Sequence, residues 1–397
     1  MDPLFKAYGS IAYQQRDLAI RYVEERDIPA IADLFRLNYG ESYPLPDVYD
    51  GSWVKHSIHS DQIICLVLEE EGRVVSTGSV VLNYGDYNDK SGELARLVVH
   101  PWYSGRGVGK RVIDALFKVA ENSLEFATAE ARTAHPIAQE LLERAAFNLI
   151  GFVPQYIILK NRRESLMLYA RVHGNGRLLR SISPPRFIPE AAYLARQVLA
   201  AMNLIDESEV VNEPAWPQDS ATYLVRPIDR GSIVPLLRIP NGRLIDPLLF
   251  GNISIERGFT FVRDKARYLV AFDHQQNPVG TIGYQVDEMS RLIKGIELIA
   301  ERDDVWPSLC RALLHEAGEL GAELISVDVS AYNPRLQRLL VDNGFRPVAY
   351  APAMVFHGTE RLDVIKMIRL NVPYDPGEMS LTEHSRQMVS LVESNFR

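Results

Sequence analysis

The chain has 397 residues, 47% of them hydrophobic, which is enough for two ordinary domains that each bury a core. A formal net charge of -8 without a basic stripe argues against a dedicated nucleic-acid binder. Two cysteines without Cys-x-x-Cys spacing, no secretory pattern in Met1 to Ser10 and no apolar run near ~20 residues predict a protein of the reducing cytoplasm, with no disulfide framework, structural zinc or membrane span.

Residues 19–22 read as a strand, and Asp27 opens a helix whose buried face is Ile28, Ile31, Leu34 and Phe35. The stretch Tyr39-Gly40-Glu41-Ser42-Tyr43-Pro44, followed by Asp47 and Tyr49, reads equally as an ordinary turn or as aromatic and acidic walls suited to a cationic amine. His56 and His59 share a helix face but lack a third ligand nearby, so no metal is expected. Residues 63–69 and 74–82, around Glu71-Gly72-Arg73, form a hairpin pattern. Next comes the apolar run Leu94, Leu97, Val98 and Val99, stopped at His100-Pro101.

Ser104-Gly105-Arg106-Gly107-Val108-Gly109-Lys110 then joins this strand to an amphipathic helix marked by Val108, Val112, Leu116, Val119 and Ala120. Glycines lack the Cβ that would block close approach, so successive N–H groups can converge on an anion at the positive end of the helix. Arg106 and Lys110 add mobile positive charge. A Walker loop would need Gly where Ser104 stands and Ser or Thr where Arg111 stands, and a dinucleotide fingerprint would need its third glycine at 110. Neither register fits. The segment resembles the pyrophosphate loop of the GNAT superfamily of acyl-CoA N-acyltransferases, Gln/Arg-x-x-Gly-x-Gly/Ala, with Ser104 departing from the usual first residue.

Residues 126–133 read as a strand, His135-Pro136 begins a helix, and 151–160 and 165–172 close the unit as strands. A Pro-containing linker at 181–189 is followed by a helical pattern at 190–204 and a flexible acidic segment at 206–218. A second unit starts near Tyr223. At a constant offset of 198 residues His135 meets Asn333, Pro136 meets Pro334, Leu141 and Leu142 meet Leu339 and Leu340, Phe147 meets Phe345, Pro154 meets Pro352 and Arg171 meets Arg369. A hairpin recurs at 268–272 and 279–284 around Asn277-Pro278, before a strand at 296–299. Where the first unit has its glycines, the second runs Ala300-Glu301-Arg302-Asp303-Asp304-Val305-Trp306-Pro307, whose acids would repel a pyrophosphate. Asn333 and Asn343-Gly344-Phe345 match a later family motif and are assigned to the fold.

The resemblance implies an α/β fold (α+β mixed sheet), with tandem GNAT-like domains and a degenerate C-terminal copy. The expected limits are 1–172 for the first domain, 173–221 for a linker with one helix, 222–372 for the second domain and 373–397 for a tail. It implies that Val98, Val99, Ser104, Gly105, Arg106, Gly107, Val108, Gly109, Lys110 and His135 hold acetyl-CoA or another acyl-CoA, and that the Val99 N–H stabilises an oxyanion. An amine would then attack the thioester directly. Glu93 is the candidate base, with His100 a further one; an ordinary solvated carboxylate and a surface histidine are the competing readings. The family's usual acidic Tyr falls at Leu142, which leaves Tyr156 and Tyr169 as substitutes, although aromatic strand residues are more often core. The expected partner is an amine acceptor, a small molecule ahead of a protein lysine, with no nucleic acid or membrane; a homodimer is compatible. A non-catalytic acyl-CoA sensor is the alternative. Parts of the chain also look like bacterial GNAT proteins fused to anti-sigma-type ATPase modules, though no such module is present.

Overall fold

The structure is a computed structural model that describes residues 18–43, 45–82, 89–159, 162–212, 223–228, 238–251 and 266–396. The N-terminal residues 1–10, Pro44, Lys160 and residues 213–218 of the acidic segment, all named above, lie outside the described residues.

In chain order the first half comprises β1 (Leu18–Tyr22), α1 (Ile28–Tyr39), α2 (Asp47–Asp50), α3 (Ser52–His59), β2 (Ile63–Glu70), β3 (Arg73–Leu82), β4 (Ser91–Val99), α4 (Val108–Val119), β5 (Phe126–Arg132), α5 (Ile137–Arg144), β6 (Asn148–Leu159) and β7 (Arg162–Val172). The connecting segment holds β8 (Arg186–Phe187), α6 (Pro189–Ala201) and β9 (Glu209–Val210). The second half comprises β10 (Leu224–Pro227), β11 (Leu249–Phe250), β12 (Arg267–Phe272), β13 (Pro278–Asp287), β14 (Leu292–Ala300), α7 (Trp306–Glu319), β15 (Leu324–Ser330), α8 (Pro334–Asp342), β16 (Arg346–His357) and β17 (Glu360–Leu370), followed by α9 (Glu383–Glu393).

Local chemistry explains several of these boundaries. Glu71 and Gly72, at φ of 49° and 79°, make the two-residue turn that lets Glu70 pair with Arg73 in the β2–β3 hairpin. Gly40, at φ of 65°, ends α1. Asp27 precedes α1 without capping it, because its carboxylate accepts from Arg21 at 2.7 and 2.9 Å and from the Glu24 N–H at 2.8 Å. On α4 the buried positions Val108, Val112, Ile113, Leu116 and Phe117 form the face that packs on β2, β3 and β4.

One mixed sheet runs through the chain in the order β1-β2-β3-β4-β5-β7-β6-β16-β17-β15-β14-β13-β12-β10, with β11 beside β15. Read from its far end, the order repeats: β10, β12, β13, β14, β15, β17 and β16 succeed one another as β1, β2, β3, β4, β5, β7 and β6 do. Within this sheet β4–β5 and β14–β15 are parallel, each bridged by a crossover helix, and the remaining neighbours are antiparallel. The halves join where Gly151 of β6 pairs with Ala349 of β16. A Cβ on Gly151 would collide with the Ala349 side chain and the Val348 carbonyl, so the join requires glycine.

Two exchanges reinforce it. α6, which follows the first half, packs on β16 of the second, and α9, which follows the second, packs on β6 of the first. Gln337 donates to Arg186 O and accepts from Ile188 N, while Gln139, 198 residues earlier, donates to Ser380 O and accepts from Thr382 N. Arg361 and Arg163, related by the same offset, each reach the other half. Fully buried Arg361 meets Asp89 at 2.8 Å and Glu125 at 3.2 Å; Arg163 meets Glu323 at 2.7 Å and Ser290 O at 2.8 Å. Residues 373–397, expected as a tail, therefore carry a packed helix: α9 contributes Met388, Val389 and Val392 to the core. The linker is likewise an ordered arm over 186–201.

Candidate functional site

The glycine loop follows a short turn at Pro101–Tyr103. Gly105 and Gly107 have φ of 74° and 76°, and a Cβ on either would meet only open space. Their need for glycine is thus conformational, and the space beside them is free for an anion. Gly107 precedes α4 without a side-chain cap, so the first-turn N–H groups have no intrahelical partner. Gly109 has a different reason: a Cβ there would press on Leu141 at 2.9 Å and Val99 at 3.4 Å, so it lets α4 approach β4 and α5. Ser104 and Arg106 are exposed, and Arg106 lies 5.5 Å from the Tyr103 ring. Lys110, expected as a mobile charge, is instead paired with Asp114 at 2.7 Å, one helical turn on.

Beside the loop the sheet opens. The β4–β5 ladder runs only from Ser91↔Phe126 to Leu94↔Ala129. Arg96, at φ of 52°, then forms a bulge that shifts the register against β3 and turns β4 away from β5. The His100 N–H donates to Val75 O on the β3 side at 2.8 Å, so by strand alternation the Val99 N–H points to the opposite, unpaired edge. The Val98 carbonyl accepts from Ser76 Oγ at 2.9 Å and the Val99 carbonyl from Asn38 Nδ2 at 3.2 Å. His135 is exposed in the turn between β5 and α5, its imidazole held below the ordinary range by partial burial and by Arg132.

On this sheet Glu93 is a mid-strand residue, not a loop residue, paired with Thr128. It faces a cavity of about 80 Å³ that also receives Glu130, Tyr156, Lys294, Asp328 and Lys366. Burial, then Glu130, push the Glu93 carboxyl up to about 7, with Arg96 and Lys294 opposing. Glu130 is raised as well, with Lys366 and Lys294 opposing, although the residue as a whole is exposed. Burial raises the Tyr156 phenol as well. Glu93 and Tyr156 are thus brought together. Tyr169 lines the same cavity, but its hydroxyl is engaged, 3.3 Å from Glu143 Oε1 and 3.4 Å from Ser385 Oγ, beneath α9. Leu142, at the position of the missing Tyr, is buried core.

Sequence reasoning missed Glu130, Lys294, Asp328 and Lys366. A signal existed for two of them, because Glu130 interrupts the alanines of β5 and Asp328 stands 198 residues later in β15. The aromatic loop packs as a plug: Tyr43 lies 4.8 Å from Phe35 and 5.0 Å from Tyr39, and the Tyr49 hydroxyl donates to Gly40 O at 2.8 Å. Its Asp47 reaches Arg96 at 3.8 Å, whose guanidinium sits 3.4 Å over the Trp53 ring.

In the second half two of the three acids of the corresponding turn, Asp303 and Asp304, are paired. Asp304 accepts from the Tyr223 hydroxyl at 2.8 Å and pairs with Arg302 at 3.2 Å, and Asp303 meets Arg335 at 3.4 Å. Asn333 Oδ1 accepts from the Leu336 N–H at 3.0 Å and caps α8, a structural use of the residue.

Comparison with known proteins bears on the first half. Residues 28–147 match the family model of the GNAT acetyltransferases, described as Acetyltransferase (GNAT) family. Among solved structures, the ribosomal-protein-S18-alanine N-acetyltransferase from Escherichia coli is similar at 17% identity over 39% of this chain and 93% of its own, with a TM-score of 0.33. A GNAT-family acetyltransferase from Streptococcus pneumoniae is similar at 19% identity over 40% and 99%, with a TM-score of 0.34. A spermidine N-acetyltransferase chimera from Vibrio cholerae and hSSAT gives 20% identity over 39% and 95%, also at 0.34. No curated protein matches the chain. Among the described residues, no helix is long and apolar enough to cross a membrane.

Proposed function

We propose that the chain is a cytoplasmic N-acyltransferase that moves an acyl group, most simply acetyl, from CoA to a small amine. The observation that carries this reading is the open cradle of Gly105 and Gly107 at an uncapped helix start, set beside the wedge between β4 and β5. Acetyl-CoA would supply the acyl group as a thioester. Val98, Ser104, Gly105, Arg106, Gly107, Val108, Gly109, Lys110 and His135 would hold it, and the Val99 N–H would face the carbonyl oxygen. The Glu93 and Glu130 carboxyls would take the proton of the incoming ammonium as the N–C bond forms and the C–S bond breaks. Tyr156 would return a proton to the thiolate, in preference to Tyr169 with its hydroxyl already engaged.

The second half is, on this reading, a duplicate that has lost its phosphate loop and now completes the acceptor pocket; the limits 1–172 and 222–372 stand as the proposed domains. A pocket enclosed by both halves favours a small molecule over a lysine on a protein surface. Buried, unpaired Cys65 and Cys310 suit a reducing compartment. The test is CoA release from acetyl-CoA across an amine panel. Tight acetyl-CoA binding without turnover of any amine would select the sensor instead.

A further inference from the structure

The cleft that holds Glu93 is lined by two lysines of the second half, Lys294 from β14 and Lys366 from β17, while Arg96 of the first half also acts on Glu93. The two lysines are not equivalent. Lys366 Nζ lies 2.5 Å from Asp328 Oδ1, so its charge is already matched. Lys294 makes no hydrogen bond or ion pair among the described residues, yet it lines both the inner cavity of about 80 Å³ and an adjoining one of about 340 Å³. Tyr156 also lines both, so the two residues mark the passage between them. Half-buried Lys294 acts on the Glu93 and Glu130 carboxyls from across the cleft without a direct ion pair, so its ammonium N–H groups are open to an anion that enters there.

The placement follows from the repeat. Glu93 occupies the third rung of the β4–β5 ladder, opposite Thr128, and Lys294 the third rung of the β14–β15 ladder, opposite Ser326. The two halves therefore present opposite charges from corresponding positions on either side of one cleft. With Lys366 matched by Asp328, the Glu93 and Glu130 carboxyls on one side and Lys294 on the other set acidic and basic groups apart within the cleft. A molecule carrying one ammonium and one anionic group complements that arrangement. A polyamine would set a second cation against Lys294.

We propose that the acceptor is a small ampholyte, a primary amine that also bears a carboxylate, with its ammonium directed to Glu93 and Glu130 and its carboxylate to Lys294. The inner cavity has room for about two to three water-sized groups, at about 30 Å³ each, which suits the amine end. The carboxylate lies at the passage, and the outer cavity, with Gln285 and Ser290, takes the remainder. The proposal rests on the acyltransferase reading, so its test must separate the two.

The experiment uses the full chain with acetyl-CoA and matched acceptors: the common α-amino acids, their carboxamides, and spermidine. Expected is at least a tenfold preference in kcat/KM for a carboxylate acceptor over its carboxamide. That preference should collapse toward unity in Lys294→Met and persist in Lys294→Arg, with both variants melting as the parent does. A parent protein that acylates carboxamides or spermidine as well as carboxylates, or a Lys294→Met variant that keeps the preference, overturns the proposal while leaving the acyltransferase reading intact. If no amine turns over, that reading fails, and calorimetric binding of the same acceptor pairs to the CoA-loaded protein decides the proposal. Preferential binding of carboxylates supports it, and equal or absent binding of both classes overturns it.

Discussion

The two strand-to-helix turns of this molecule occupy the same place in the same strand order and differ in one respect. The first, at Ser104 to Gly109, is bare: two left-handed glycines, exposed backbone and an uncapped helix. The second, at Arg302 to Trp306, is filled, with Asp304 held by Tyr223 and Arg302, and Asp303 by Arg335. The contrast teaches that a turn becomes receptive to an anion through what it leaves unsatisfied. A turn that meets its own electrostatic needs has nothing left to offer a ligand.

The comparison breaks most sharply at Gly107. Gly107→Asp places a carboxylate in the cradle, and a like charge near 4 Å at an effective dielectric of 20 costs about 4 kcal/mol, so acetyl-CoA affinity should fall about 1,000-fold by calorimetry. Retained affinity would move the cofactor elsewhere. A smaller effect distinguishes the two inter-half arginines. Arg361→Met leaves buried Asp89 and Glu125 without their cation and should cost about 3 kcal/mol in denaturant unfolding. Arg163→Met should cost about 1 kcal/mol, because Glu323 keeps Arg291 at 2.5 Å. Equal costs would mean that the two clamps are interchangeable.

Next in size is Glu93→Gln, expected to reduce kcat about 100-fold at pH 8 while sparing acetyl-CoA affinity. A base must be deprotonated, so the parent rate should rise with pH through about 7 and the variant should lose that limb. The same carboxyl binds its proton more tightly folded than unfolded. Stability of the parent should therefore decline as pH rises from 4.5 to about 7, and Glu93→Gln should remove that decline in a pH series of melts. The smallest effect is expected in the filled turn: Asp304→Asn should leave the binding stoichiometry at one CoA per chain. A second equivalent would show that the two turns differ less than their chemistry indicates.

What could be read from the chain divides along the range of the interactions. The β2–β3 hairpin was legible because Glu71 and Gly72 encode their own turn, and the cradle because glycine register and the flanking strand and helix are local properties. The repeat was legible because its offset is constant. The pocket was not, since Lys294 and Lys366 meet Glu93 only after β6 pairs with β16, and nothing near any of these residues announces that pairing. Arg361 makes the same point: in Glu360-Arg361-Leu362-Asp363 it reads as a surface alternation, yet it is fully buried because its partners lie more than two hundred positions away. α9 escaped notice because its apolar positions are few and complete a core belonging to the other half.

Gly151 carries a consequence for anyone who would divide the molecule. With Ala349 removed, β6 becomes a free edge, unprotected against pairing with another copy of itself. The isolated first half would retain its glycines but lose Lys294, Lys366 and the α9 cover at a single cut. On the proposed reading it would be a sticky fragment with a grip on one reactant and no grip on the other. The second half, whose own turn is closed, supplies the remaining walls of the cavity around Glu93.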